Sequence, residues 1–207
     1  LVIDSESNIY IADYYNQRIQ KFNSNGDFIL KWQLEPFYPG LRDPGFPYPY
    51  SLAVDTEDNV YALDGPHVQK FTRDGKFIQK WGDFDYASDV ALDTVGNVYI
   101  VDLRQRNVKK FNPNGKLLLQ WSNPGAGIFG GEFFNLKGVA TDSEGNVYAA
   151  DTNNNRIQKF DSDGEFVLAW DCRKESDYEN YCFDCVIVDS LENVYVVDSI
   201  NYIILKF

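Results

Sequence analysis

Asn146-Val-Tyr-Ala-Ala-Asp151-Thr-Asn-Asn-Asn-Arg156-Ile-Gln-Lys-Phe160-Asp-Ser-Asp-Gly164 is the stretch on which the fold turns. Its opening six residues have four counterparts: Asn8-Ile-Tyr-Ile-Ala-Asp13, Asn59-Val-Tyr-Ala-Leu-Asp64, Asn97-Val-Tyr-Ile-Val-Asp102 and Asn193-Val-Tyr-Val-Val-Asp198. Its second half also recurs, as Arg18-Ile-Gln-Lys-Phe22, His67-Val-Gln-Lys-Phe71, Asn107-Val-Lys-Lys-Phe111 and Ile203-Ile-Leu-Lys-Phe207. Four copies run on to a tryptophan, at Trp32, Trp81, Trp121 and Trp170. The asparagines are spaced by 51, 38, 49 and 47 residues. A period of about 40–50 residues carrying several short β segments predicts propeller blades.

Each unit divides into four strands, a to d. Strand a leads into an Asp (Asp4, Asp55, Asp93, Asp142, Asp189), and a turn such as Asp142-Ser-Glu-Gly-Asn146 follows. Asp and Ser favour such turns because their side chains bond nearby backbone. Strand b, for example Val98-Tyr-Ile-Val101, is apolar on both faces, as expected for sheets that stack face to face. Strand c alternates more. Asn25-Gly26, Asp74-Gly75, Asn114-Gly115 and Asp163-Gly164 stand between c and d and signal hairpins. No stretch has helical periodicity.

The segment from Asp151 to Gly164 resembles the NHL repeat, and nearly every residue of the chain falls in such a unit. The resemblance implies an all-β fold, a β-propeller of four-stranded antiparallel blades, usually about six in number. About five blades are expected here, in one domain spanning 1–207, with units near 1–32, 51–81, 89–121, 137–170 and 185–207. The last would lack its outer strand, so the chain reads as an incomplete part of a six-bladed ring, open to self-association at that edge.

Strand alternation gathers all b–c and d–a connections on one face. The a–b and c–d turns are short and uniform; the other set is irregular, and function concentrates in such loops. The first d–a connection carries Pro36-Phe-Tyr-Pro39 and Phe46-Pro-Tyr-Pro-Tyr50. Aromatics supply rigid contact area and prolines reduce the entropy lost on ordering. The candidate binding residues on this face are Tyr14, Tyr15, Arg18, Tyr38, Tyr48, His67, Arg104, Arg106, Asn154 and Arg156. Arg18 and Arg156 also read as structural partners of Asp13 and Asp151, the residues that end strand b.

Composition narrows the chemistry. The 207 residues hold 31 Asp+Glu against 19 Lys+Arg, a net charge of −12, with 16% aromatics. The acidic balance disfavours nucleic acid, whose phosphates need clustered cations. RNA binding, known in some proteins with this repeat, would need a basic loop face from Arg18, Arg42, Arg104, Arg106, Arg156 and Arg173. No apolar run reaches the ~18 residues of a membrane span. Related propellers include lyases that use several histidines around a channel metal; His67 is the one histidine here. The expectation is no catalytic residue, no metal and no cofactor. Calcium is the ion that the repeated Asp residues raise, but backbone bonding in turns is sufficient reason for them.

The three cysteines are Cys172, Cys182 and Cys185. A Cys172–Cys182 disulfide is favoured over a zinc or redox reading of Cys182-Phe-Asp-Cys185, and would place the protein in an oxidising, extracytoplasmic compartment. The function favoured is a non-catalytic scaffold binding a protein, peptide or glycan through the loop-rich face. A propeller lyase or hydrolase with a channel-bound metal is the alternative.

Overall fold

A computed structural model describes residues 1–35, 47–122, 133–171 and 183–207. The described chain is all-β, interrupted by two single 3-10 turns. Blade 1 comprises β1 (Val2–Ile3), β2 (Ile9–Asp13), β3 (Arg18–Phe22) and β4 (Phe28–Gln33). Blade 2 comprises β5 (Ser51–Val54), β6 (Val60–Leu63), β7 (Val68–Phe71) and β8 (Phe77–Trp81). Blade 3 holds β9 (Ala87–Leu92), β10 (Val98–Asp102), β11 (Asn107–Phe111) and β12 (Leu117–Trp121). Blade 4 holds β13 (Leu136–Thr141), β14 (Val147–Asp151), β15 (Arg156–Phe160) and β16 (Phe166–Asp171), and blade 5 holds β17 (Phe183–Val188), β18 (Val194–Asp198) and β19 (Ile203–Lys206). Strand order within every sheet follows the sequence, antiparallel throughout, so each blade is a meander. This is the β-propeller architecture that the repeats predict. Among the described residues no helix is long and apolar enough to cross a membrane.

The chain divides into two compact units, 1–90 and 91–207. In the first, Tyr10, Ile19, Leu34, Leu52, Val60, Ala62 and Phe71 form a core between blades 1 and 2. In the second, β13 lies against β10 on one side and β17 on the other. Strand b is wholly buried in β6, β10 and β14, as its apolar alternation predicts. Strand d is the exposed edge: Phe28, Ile29, Leu117 and Leu118 are each about half exposed.

One polar unit is rebuilt in every blade. The Asp after strand a accepts backbone N–H groups through Oδ1 and closes the a–b turn; Asp142 takes those of Glu144 at 3.1 Å and Asn146 at 2.8 Å. Its Oδ2 accepts the Asn146 side chain at 2.7 Å and the Tyr148 hydroxyl at 3.0 Å. The same tyrosine bond measures 2.9 Å at Asp4, 3.1 Å at Asp55, 3.1 Å at Asp93 and 3.1 Å at Asp189. Tyrosine can bury its ring on strand b because this carboxylate satisfies its hydroxyl, which would otherwise be costly to desolvate. A strand-c lysine then lies over each ring, at 4.9 Å for Lys21 on Tyr10 and 5.0 Å for Lys159 on Tyr148.

Tryptophan joins neighbouring blades. Trp32 of β4 covers the c–d turn of blade 2, where a Cβ on Gly75 would sit 2.6 Å from the indole. Trp121 meets Gly164 in the same way at 3.0 Å, with Phe160 beside it at 5.8 Å between ring centroids. Both glycines have positive φ, +77° and +79°. The Asp-Gly pairs at Gly75 and Gly164 therefore serve two needs: left-handed backbone, and room for a neighbour's indole.

Candidate functional site

Strand b ends in an Asp in each blade, and this residue organises the b–c loop. Asp151 accepts Arg156 Nε at 2.7 Å, Gln158 Nε2 at 2.8 Å and Asn154 Nδ2 at 2.9 Å on Oδ2, while Oδ1 takes the Phe134 N–H at 2.7 Å. Asp13 holds Arg18 Nε at 2.6 Å, Gln20 at 2.9 Å and Asn16 at 2.8 Å. Where the arginine is missing, the other partners remain. Asp64 takes Gln69 at 2.6 Å, Asp102 takes Lys109 at 2.9 Å and Asp198 takes Asn201 at 2.8 Å. The Asp–Arg pairing is thus structural. The strand-c partner two residues further on (Gln20, Gln69, Lys109, Gln158) escaped the sequence reading, although its polar character inside an apolar strand was the available signal.

Unit 1 gathers the predicted tyrosines. Tyr14 and Tyr15 sit on the 3-10 turn Tyr14–Asn16, which Asp13 anchors. Tyr48 stacks on Tyr14, centroids 4.8 Å apart and planes at 29°. Tyr15 stands edge-on to Tyr14 at 5.1 Å and 88°, and Tyr50 at 5.1 Å and 61°. Hydroxyls of Tyr14 and Tyr50 meet at 3.4 Å. That bond, followed by burial, pushes the Tyr50 phenol pKa up. Tyr50 was not among the predicted residues; its place in Tyr48-Pro-Tyr50 could have included it.

The cluster is exposed yet well supported. Tyr15 is 89% exposed, Tyr50 43% and Tyr48 37%, whereas the intervening Pro47 and Pro49 are buried. Gln69, fully buried, donates to the Glu35 carbonyl at 2.8 Å and accepts the Glu35 N–H at 2.7 Å, fixing the start of the same connection. Gly65, with φ +96°, lies against Tyr50. The Phe84 N–H reaches the Pro66 carbonyl at 3.0 Å, which brings the next loop, with exposed Tyr86, alongside. His67 is held in this hairpin by its N–H to Asp64 at 2.9 Å.

Unit 2 places the remaining predicted residues. Arg104 and Arg106 are exposed, and the Arg106 guanidinium lies 5.6 Å from the Phe134 ring centroid. Asn154 and Arg156 are engaged by Asp151, and Arg156 is 5% exposed, beneath the loop rather than on its surface. Tyr38, Arg42, Arg173, Cys172 and Cys182 lie outside the described residues. Cys185 is half-buried in β17. Among the described residues no group of three or more His, Cys, Asp or Glu side chains is placed to hold a metal ion.

The fold and these turns define the class: a β-propeller with structurally committed carboxylates and an irregular aromatic loop face. Residues 135–160 match the family model of the NHL repeat, within a chain whose fold is a β-propeller. It is 28% identical over 124 residues to Protein brain tumor of Drosophila melanogaster, a match covering 57% of this chain and 12% of that protein. It is 28% identical over 140 residues to NHL repeat-containing protein 3 of Mus musculus, covering 57% of this chain and 39% of that one. The chain thus spans well under half the length of these two relatives. Among solved structures, a streptogramin B lyase superposes with TM-score 0.72 at 14% identity, over 100% of this chain and 67% of that one. Virginiamycin B lyase from Staphylococcus aureus gives 0.69 at 12% identity, over 100% and 68%. Likeness at such identities is of fold alone.

Proposed function

We infer that this chain is a non-catalytic interaction scaffold whose unit 1 tyrosine cluster binds a protein or peptide. The observation that carries the reading is the group of exposed Tyr15, Tyr48 and Tyr50 packed on half-buried Tyr14, on a braced loop base. Large, rigid, amphipathic side chains with few rotatable bonds are favoured contact residues because ordering them costs little entropy. The braced loops mean that little further ordering is needed on binding. The carboxylates repeated through the blades support a scaffold over a metal-dependent lyase. Each strand-a Asp closes a turn and holds a tyrosine, and each strand-b Asp holds a loop.

Selection of a random-peptide display library against the chain tests this reading. Enriched peptides should bind the wild type and lose about ten-fold or more in affinity to Tyr15→Ala, a truncation the size of an interface hot spot. Tyr15 is almost fully exposed, so that variant should keep the wild-type melting temperature. Failure to enrich any peptide, or equal binding to the variant, would overturn the reading.

A further inference from the structure

Resting on that reading, we propose that the ligand is a proline-rich segment in the polyproline II conformation, flanked by lysine or arginine. Tyr15 and Tyr50 both pack against Tyr14, with ring planes at 88° and 61° to it. Such angles leave notches walled by aromatic faces, suited to flat, rigid pyrrolidine rings. Centroid steps of 5.1 Å link Tyr15 to Tyr14 and Tyr14 to Tyr50, so these rings span at most two such steps. That is the scale of one polyproline II turn, three residues at a rise of ~3.1 Å each. A polyproline helix has no N–H to offer and leaves its carbonyls unpaired. Tyrosine hydroxyls are the matching donors. Docking of such a preformed helix on aromatic-lined grooves is a general mode of peptide recognition.

Charge sets the flanks. The Gly82–Tyr86 loop, tied to Pro66 beside Tyr50, exposes Asp83 and Asp85. Arg18, which follows the tyrosine turn in sequence, is engaged by Asp13 at 2.6 Å. Exposed acidic side chains beside an arginine that is already paired attract basic residues and repel phosphates. This is why a polypeptide is favoured over a single-stranded nucleic acid, although both can stack on aromatic rings.

Fluorescence anisotropy with a labelled, arginine-flanked decaproline peptide provides the test. A glycine–serine peptide of equal charge and length, and a single-stranded RNA, serve as comparators. The expected result is saturable binding of the proline peptide at least about ten-fold tighter than either comparator, with a similar loss in Tyr15→Ala. Tyr15→Phe, which keeps the ring and removes the hydroxyl, should retain most of the affinity. Equal binding of the two peptides would reduce the effect to charge and overturn the proposal, as would preference for RNA or indifference to Tyr15→Ala. If the display selection returns proline-free peptides that depend on Tyr15, this proposal falls while the scaffold reading stands.

Discussion

At the scale of single residues, backbone conformation separates positions that look alike in the sequence. The fourth residue of the a–b turn is left-handed in every blade. It is Gly96 and Gly145 in two of them, but Ser7 (φ +65°), Asp58 (+62°) and Glu192 (+64°) in the others. Left-handed backbone costs a side-chain-bearing residue ~1–2 kcal/mol, partly offset by the extra freedom that glycine has when unfolded. Ser7→Gly should therefore stabilise the chain by about 0.5–1 kcal/mol, read as a higher urea midpoint. Trp121→Ala works the other way. It opens a gap against Phe160 and Gly164, and the half-buried indole should cost about 3 kcal/mol, measured by the same titration. An unchanged midpoint would mean that the indole does not brace blade 4.

At the scale of the hairpin and its strands, the Asp–Asn–Tyr unit gives the protein an acid response. Burial pushes Asp4 up, but bonds from Asn8, Tyr10 and Lys21 outweigh it and bring the carboxyl down to about 2. Asp189 is also held at about 2, chiefly by the Asn193 side chain. Asp55 and Asp142 are lowered as well, their hydrogen bonds again overcoming burial. An unfolded Asp titrates near ~3.9. Below that pH the unfolded chain takes up protons that the native state refuses. The contribution is complete above about pH 5 and drains away as pH falls through about 2. Urea midpoints should hold steady down to about pH 5 and then fall, and Asp142→Asn should make that fall shallower. The strands themselves were legible because alternation, turn residues and repetition agreed. The tyrosine-to-carboxylate bond was not, because it joins residues six apart across a turn whose path the sequence does not specify.

For the whole molecule, the repeats disclosed the blade count and the strand order. They could not disclose which loop side chains meet. Tyr14 and Tyr48 belong to successive repeats and lie 34 positions apart, and their stacking depends on how one sheet settles on the next. Arg156, the first residue of strand c in blade 4, reads in the sequence both as a contact residue and as the partner of Asp151, and its burial against Asp151 makes it a support. The net charge of −12 adds a kinetic expectation. Association with a basic peptide should slow as salt rises from about 50 to about 200 mM, while dissociation changes less, since screening acts mainly on approach. Stopped-flow mixing across that range would check it, and a salt-independent association rate would exclude electrostatic steering.

The Asp that closes strand b persists in all five blades, while the arginine stands beside it in two and the strand-c partner changes between glutamine and lysine. A foundation that tolerates such turnover lets the connection above it be rewritten without disturbing the sheet below. Each blade then behaves as an interchangeable cassette, and grafting the Tyr14–Asn16 turn onto the matching turn at Thr152–Asn154 becomes a practical route to a second recognition surface.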